Sequence, residues 1–524
     1  MKKKVIIIGA GPGGLQLAYY LQKSNIDYVV IEKADIPGHF FKKFPIHKKL
    51  ISINKVNTGY TDPEVNMRFD WNSLLADDYG VLFSQFSQDY FPGTEVLLDY
   101  MAKYAETYNL NIKYNTEVEL VTKDETFTVK TSEGTYECEE LVVATGLRKP
   151  YLPPIENIEM CTNYVDLDTD YAKYTGKRVL IFGKGNSALE TADALIPYAT
   201  LIHCSSPHPL KLAWETHFVG NLRAINNNFL DTYQLKSQNA LLNADATKIE
   251  KKGDKYHVTF LYGNAHGEVE EIIYDEIIVC AGFMFDSSIF HESITPELSI
   301  KDKFPSQKSN WESTNIDSLY FAGTITQMRD YQKSTSGFIH GFRYNSKCLA
   351  HILENKILGK AWPAYGKDYI SSEEVSNKIV ENVNKSSSLW QQFGFIGSAL
   401  VINEEDNSWK LVYDIPVDYI KDNRDQFGNR YYMITLEYGN EFFEKAKSVF
   451  NVERVHKDDV DNAHMSPGLH PIIRQYVDGE LKSTYHMIED FESEWNDEVR
   501  HVIPLKKYMK KELAALEASE VTMS

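Results

Sequence analysis

The stretch VIIIGAGPGGLQLAYYLQ, residues 5–22, decides the fold. Val5 to Ile8 is an unbroken β-branched run, the pattern of a parallel strand buried on both faces. Gly9, Gly11 and Gly14 follow in G-x-G-x-x-G spacing and open a helix with apolar positions at Leu15, Leu17, Ala18 and Leu21. The first glycine permits the tight turn, the second lets backbone N–H groups approach a pyrophosphate, and the third lets helix and strand pack closely. A diphosphate then rests on the positive end of the helix. Tyr28 to Ile31 makes the next strand and ends in Glu32, eighteen residues after Gly14, where a carboxylate accepts hydrogen bonds from ribose hydroxyls. Lys33, beside it, joins the cofactor-binding set. FAD or NAD fits this turn, and NADP does not.

Working outward, residues 176–204 repeat the plan. Arg178 to Phe182 is the strand, Gly183, Gly185 and Ala188 give the G-x-G-x-x-A variant, Asn186 and Ser187 stand at the helix start, and Thr200 to His203 is the next strand. Each copy is followed by a hairpin-like stretch and an apolar strand ending in a small-residue turn, Leu141 to Gly146 and Ile277 to Gly282. A third glycine turn closes Leu319 to Thr324. This order predicts an α/β protein with two Rossmann-like dinucleotide-binding domains in the FAD/NAD(P)-binding, glutathione-reductase-like arrangement. The expected division is an FAD-binding domain of residues 1–165 and 285–355, an inserted NAD(P)H-binding domain of 166–284, and a mixed C-terminal extension of 356–524 whose role composition does not disclose.

The first turn points to FAD because a long cofactor needs more than one contact. Thr116 to Val118 is a strand edge suited to an adenine ring, while Ala144, Thr145 and Gly146 converge with Gly323 and Thr324 on the same ligand. After the second copy no acidic residue follows the strand. Ser205, Ser206 and Lys211 supply hydroxyls and a cation that suit a 2′-phosphate, so NADPH is favoured and NADH stays open.

A net charge of −19 excludes an electrostatic hold on nucleic acid or anionic membrane. The five cysteines form no C-x-x-C pair, which argues against a redox-active disulfide and against zinc. His456, His464, His470, His486 and His501 fit no ligand spacing either. The basic start and Val5 to Ile8 imitate a leader, but the apolar run is only four residues long. No run approaches the roughly eighteen apolar residues of a spanning helix, so a cytoplasmic protein with no membrane contact is expected.

The order GAGPGG (9–14), ATG (144–146), GKGNSALETA (183–192) and FAGT (321–324) resembles flavin-containing monooxygenases and N-hydroxylases, the class B flavin monooxygenases. A longer similarity, over nearly the whole chain, is to the FAD-dependent oxidoreductase domain-containing proteins. It rests on residues 38–55, 70–75, 222–227, 231–237, 337–344, 436–439 and 488–491. The resemblance implies that Phe40 meets the flavin ribityl region through its backbone and that Asn54 faces the reactive edge of the isoalloxazine ring. It also implies that the helix begun by Ser336 and Gly337 stabilises charge on reduced flavin. His47 reads more simply as a packed or surface residue. The chain departs from the monooxygenases at residues 155–164, where the F-x-G-x-x-x-H fingerprint is missing. The animal member of the longer family resides in the endoplasmic reticulum, whereas no leader or retention tetrapeptide is read here.

The resemblance implies a single-component monooxygenase using NAD(P)H and O2, with hydride passing to the flavin and one oxygen atom reaching a small-molecule soft nucleophile, an amine or a thioether. Two alternatives stay open: a flavin oxidoreductase or oxidase that reduces a protein or quinone, and a flavin-stabilised binding protein whose C-terminal region recruits a partner protein. A homodimer is equally open. The missing W-x-W-x-I-P segment argues against a conventional flavin halogenase.

Overall fold

The protein is described by a computed structural model at residues 1–234, 239–439 and 452–521. Leu235, Lys236 and Ser237 of the segment 231–237 lie outside the described residues. Strand β1 (Lys2–Ile8) is central because Val5, Ile6 and Ile7 are wholly buried. β2 (Tyr28–Ile31) and β3 (Ile112–Lys113) extend the sheet in parallel on one side, and β6 (Gly134–Val143) pairs in parallel on the other. β4 (Val118–Lys123) and β5 (Phe127–Thr131) add an antiparallel meander. The helix Pro12–Lys23 starts with proline in its first turn, where a missing N–H costs nothing.

The chain leaves this sheet through β7 (Lys149–Pro150) and β8 (Thr162–Asn163), then builds a second parallel sheet from β9 (Arg178–Phe182), β10 (Leu201–Ser206) and β11 (Ala240–Asn243). A second meander follows, β12 (Asp245–Lys252), β13 (Lys255–Tyr262) and β14 (Glu268–Tyr274), and then β15 (Glu276–Val279) returns beside β9. The order β11-β10-β9-β15-β8 matches β3-β2-β1-β6 followed by β19 (Leu319–Phe321) in the first sheet. The outermost parallel position is therefore filled in both sheets, once by a strand that follows the unit and once by one that precedes it. β16 (Phe283–Met284) pairs with β7, so the two passages of chain between the domains lie side by side. Thr162 and Asn163 already belong to the second sheet, which puts the change of sheet earlier than residue 165. A small hairpin, β17 (Leu298–Ser299) and β18 (Phe304–Pro305), precedes β19.

The long helix Ile339–Leu358 packs back on the helix Pro12–Lys23 and leads into the extension. There β20 (Ala364–Lys367), β21 (Ile396–Asn403), β22 (Ser408–Pro416), β23 (Arg430–Glu437), β24 (His470–Val477) and β25 (Glu480–His486) form an antiparallel sheet in the order β20-β22-β21-β23-β24-β25. The helices Ser372–Lys385 and Ile503–Val521 pack together, and Trp495, Leu505 and Met509 bury themselves in the core they share with this sheet. The extension is seated on the first domain by buried polar contacts. Arg68 donates to Val383 O (2.9 Å), and Gln392, wholly buried, donates to Asn345 Oδ1 (2.7 Å) and Ser336 Oγ (2.9 Å). No helix among the described residues is long and apolar enough to cross a membrane.

Candidate functional site

Both glycine turns are shaped as cradles. Gly9 has φ +106°, and a Cβ there would stand 2.8 Å from Ala144 O; Gly14 would drive one to 2.1 Å from Gly9 O. Gly11 has only Ala144 O at 3.9 Å, so the middle of the turn stays open. The second turn repeats this: Gly183 has φ +129° and a Cβ would lie 2.3 Å from Cys280 O, whereas Gly185 meets nothing within 4 Å. Closed glycines at the strand side and an open one at the helix start are what a diphosphate on backbone N–H groups requires.

Around the first cradle the expected residues gather. Glu32 accepts from Ala10 N (2.8 Å) and Ala34 N (2.9 Å), which fixes its carboxylate at the rim; Lys33 is exposed beside it. Thr116 N donates to Glu32 O (2.9 Å), and Val118 opens β4 opposite Thr131. The turn Ala144, Thr145 and Gly146 meets the third glycine turn, since Ala322 N donates to Val143 O (3.0 Å) and Gly146 faces Thr324 Cγ2. Gly13, unassigned in the sequence reading, is where the first and third turns press together: its Cβ would stand 2.3 Å from Gly323 Cα. Thr324 Oγ1 donates to Gly337 O (2.8 Å), tying that turn to the start of the long helix. Phe40 is exposed and meets Phe44 (5.0 Å) and Phe283 (6.4 Å) where the domains join.

Two of the expected residues are turned inward. Asn54 is buried, and its Nδ2 donates to Ser87 O (2.8 Å) and Asp89 O (3.3 Å). Its amide nitrogen thus braces the 87–90 turn. Ser205 is 2 % exposed because alternate side chains of a strand face opposite ways, and its hydroxyl points to Ala244 O (3.4 Å). Ser206 is half-buried and donates to His208 O (3.1 Å), and Lys211 is exposed.

Asn186 engages its whole amide: Nδ2 donates to Asn221 O (2.9 Å), and Oδ1 accepts from Arg223 N (3.0 Å) and Asn226 Nδ2 (3.0 Å). It therefore fixes the 220–226 loop over the second helix start, with Ser187 half-buried beside it. Lys184 donates to Leu242 O (3.0 Å), and burial pulls its amine down to about 8. His47 bridges the domains, with Nδ1 2.7 Å from the Tyr171 hydroxyl and Nε2 3.2 Å from Thr191 Oγ1, and burial lowers it to about 4.

A cavity of about 620 Å³ is bounded by all three parts of the chain. Trp71 and His340 come from the first domain, Leu222 and Arg223 from the second, Trp390 and Phe491 from the extension. His340 is wholly buried, stacks on Trp71 at 4.2 Å, and has no hydrogen-bond partner on either ring nitrogen. Burial and the nearby guanidinium groups of Arg343 and Arg223 hold it neutral. One turn along the same helix, Arg343 donates to Met67 O (2.7 Å), Asp70 O (2.9 Å) and Ser73 O (2.8 Å), which places the loop carrying Trp71. Sequence reading quoted both segments, 70–75 and 337–344, without singling out Trp71 or His340. The five cysteines are free, and burial raises every thiol well above its usual range.

The chain matches the pyridine nucleotide-disulphide oxidoreductase family over residues 6–323. It is 34 % identical to the FAD-dependent oxidoreductase domain-containing protein 2 of Mus musculus, over 96 % of this chain and 83 % of the mouse protein. Among solved structures it resembles a flavin-containing monooxygenase from Stenotrophomonas maltophilia, with TM-score 0.51 and 18 % identity over 68 % of this chain and 99 % of that one. It likewise resembles an ornithine N-hydroxylase from Kutzneria, with TM-score 0.51 and 17 % identity over 68 % and 100 % of the two chains. At these identities the two structures show the shared fold.

Proposed function

The chain belongs to the pyridine nucleotide-disulphide oxidoreductase family and to the FAD-dependent oxidoreductase domain-containing proteins, and from that premise we propose that it is an NADPH-using monooxygenase acting on a small-molecule soft nucleophile, an amine or a thioether. It is an FAD-dependent, NAD(P)H-using oxidoreductase. The observation that carries the finer reading is the aromatic cavity bounded by both domains and the extension, taken together with five free cysteines. The chain holds no disulfide of its own to take electrons from the flavin, and the aromatic lining suits a small apolar molecule.

FAD seated in the first cradle supplies acceptance of hydride from nicotinamide and the activation of oxygen. The chain's own residues bind, orient and seal. Gly9, Gly11 and Gly14 admit the FAD diphosphate, Glu32 holds ribose hydroxyls, and Thr324 with Gly337 fixes the turn under the far end of that cofactor. Gly183 and Gly185 would admit the NADPH diphosphate, and Ser206 and Lys211, which keep a hydroxyl and a cation near the surface, would hold its 2′-phosphate.

The test is a product-resolved assay under isotopically labelled oxygen gas over a panel of amines, thioethers and ketones. One labelled oxygen atom per NADPH consumed, in an amine or thioether product, is the expected result. Steady NADPH oxidation that yields only peroxide, or that reduces a quinone without label, overturns the reading in favour of an oxidase or electron-transfer flavoprotein.

A further inference from the structure

The cavity wall holds two guanidinium groups, Arg223 and Arg454, and two carboxylates, Glu489 and Asp490. Arg454 Nε donates to Glu489 Oε1 at 2.6 Å, and Glu489 Oε2 accepts from Gly468 N at 2.5 Å. Asp490 turns into its own loop, where Oδ1 accepts from Glu492 N (2.9 Å) and Glu494 N (3.1 Å). His217 and His340 are held towards neutrality by burial. Arg223 alone is left without a carboxylate among the described residues. Its guanidinium lies 5.1 Å over the Trp71 ring, and burial lowers its pKa. A partly desolvated cation facing an aromatic ring regains only a fraction of its lost hydration, so such a group is a marker of a site that a ligand completes.

Resting on the oxidoreductase reading above, we infer that this cavity binds a monocarboxylate with a planar apolar body, its carboxylate paired with Arg223 and its ring beside Trp71. One unpaired guanidinium matches one negative charge, and its two N–H edges match the two oxygens of a carboxylate; a phosphate dianion would leave a surplus charge in a low-dielectric wall. Trp390 and Phe491 bound the cavity on the side of the extension. The loop of Arg223 is itself fixed by Asn186 at the nucleotide-binding helix, so acid binding and nicotinamide delivery share one anchor.

The experiment is a titration of the oxidised holoenzyme with phenylacetate and indole-3-acetate, and with their neutral amides, read by the flavin difference spectrum and by calorimetry. A charge-assisted pair in a partly dry site predicts that the acids bind at least about tenfold tighter than the amides. Arg223→Gln should abolish that margin, Arg223→Lys should keep part of it, and FAD content and NADP+ affinity should stay unchanged. Equal binding of acid and amide to the wild-type protein overturns the inference, and this comparison needs no variant to fold. Loss of FAD, or of NADP+ affinity by the same factor as the acids, assigns Arg223 to a cofactor and overturns it too. Turnover is not involved, so an acid that binds while no amine or thioether of the panel gains labelled oxygen sinks the monooxygenase reading and leaves the site. Labelled products from neutral thioethers with no preference for acids do the reverse.

Discussion

At the scale of single residues, the two glycine turns carry the sharpest demands. Gly183 combines φ +129° with a phantom Cβ 2.3 Å from Cys280 O, a backbone atom of β15's end that has nowhere to move. An alanine there is strained by about 1–3 kcal/mol in addition to the clash, and the strain falls on the start of the helix Asn186–Leu195. Gly183→Ala is therefore expected to slow anaerobic flavin bleaching by NADPH by more than about tenfold while the flavin remains bound. Reduction followed by absorbance, with flavin content measured on the same sample, checks it; unchanged bleaching would show that the second cradle does not deliver hydride. The same scale explains how Asn54 is held. A buried amide takes the partners its loop offers, and Ser87 and Asp89 offer two carbonyls.

Among elements, the helix Asn186–Leu195 does more than start a nucleotide site. Its Glu190 accepts from the Tyr164 hydroxyl (2.5 Å), which in turn accepts from Ile46 N (3.0 Å), so one helix face ties the second sheet to the segment that crosses from the first domain. Burial lifts the Glu190 carboxyl from 4.5 to about 7. Between those values the folded chain keeps a proton that the unfolded chain has released. The stability from this group is full below the lower value and is lost as pH rises through the upper one, by at most about 1.4 kcal/mol per pH unit. Glu190→Gln should flatten that decline, and unfolding midpoints in urea from about pH 5 to about pH 8 read it; parallel wild-type and variant curves would refute the assignment. Much at this scale was legible beforehand, because a β-branched run, a glycine spacing and a helix period are local. β8 was not, since Thr162 and Asn163 are two residues with no pattern of their own that pair only because β15 has a free edge. The inward turn of Ser205 was not legible either, because register decides which of two neighbouring serines faces inward. The cavity was hidden most completely, because Trp71, Arg223, His340, Trp390 and Phe491 share no local signal and meet only after three parts of the chain have folded.

For the whole molecule, the question is whether the extension is a movable cover or a fixed wall. Gln392 decides for the wall. It is wholly buried, donates to Asn345 Oδ1 and Ser336 Oγ of the first domain, and accepts from Ser334 Oγ (3.0 Å) and Thr335 N (3.3 Å). Thr335 Oγ1 donates to Gln391 O (2.5 Å) beside it, and Ser336 and Asn345 also bond each other (2.8 Å). These residues flank Gly337 and the first turns of the helix that bears His340, so the contact that seats the extension also fixes the flavin end of the site. Gln392→Leu leaves several buried polar atoms without partners and should cost about 2–4 kcal/mol. If the extension and the FAD-binding part form one cooperative unit, flavin release and loss of the Trp390 and Trp495 fluorescence environment will move together to lower denaturant in this variant. A wild-type protein that loses the extension in a separate earlier transition, with flavin still bound, would make it a cover; a shared transition keeps Trp390 and Phe491 as permanent walls, and the acid site is then present before any substrate arrives.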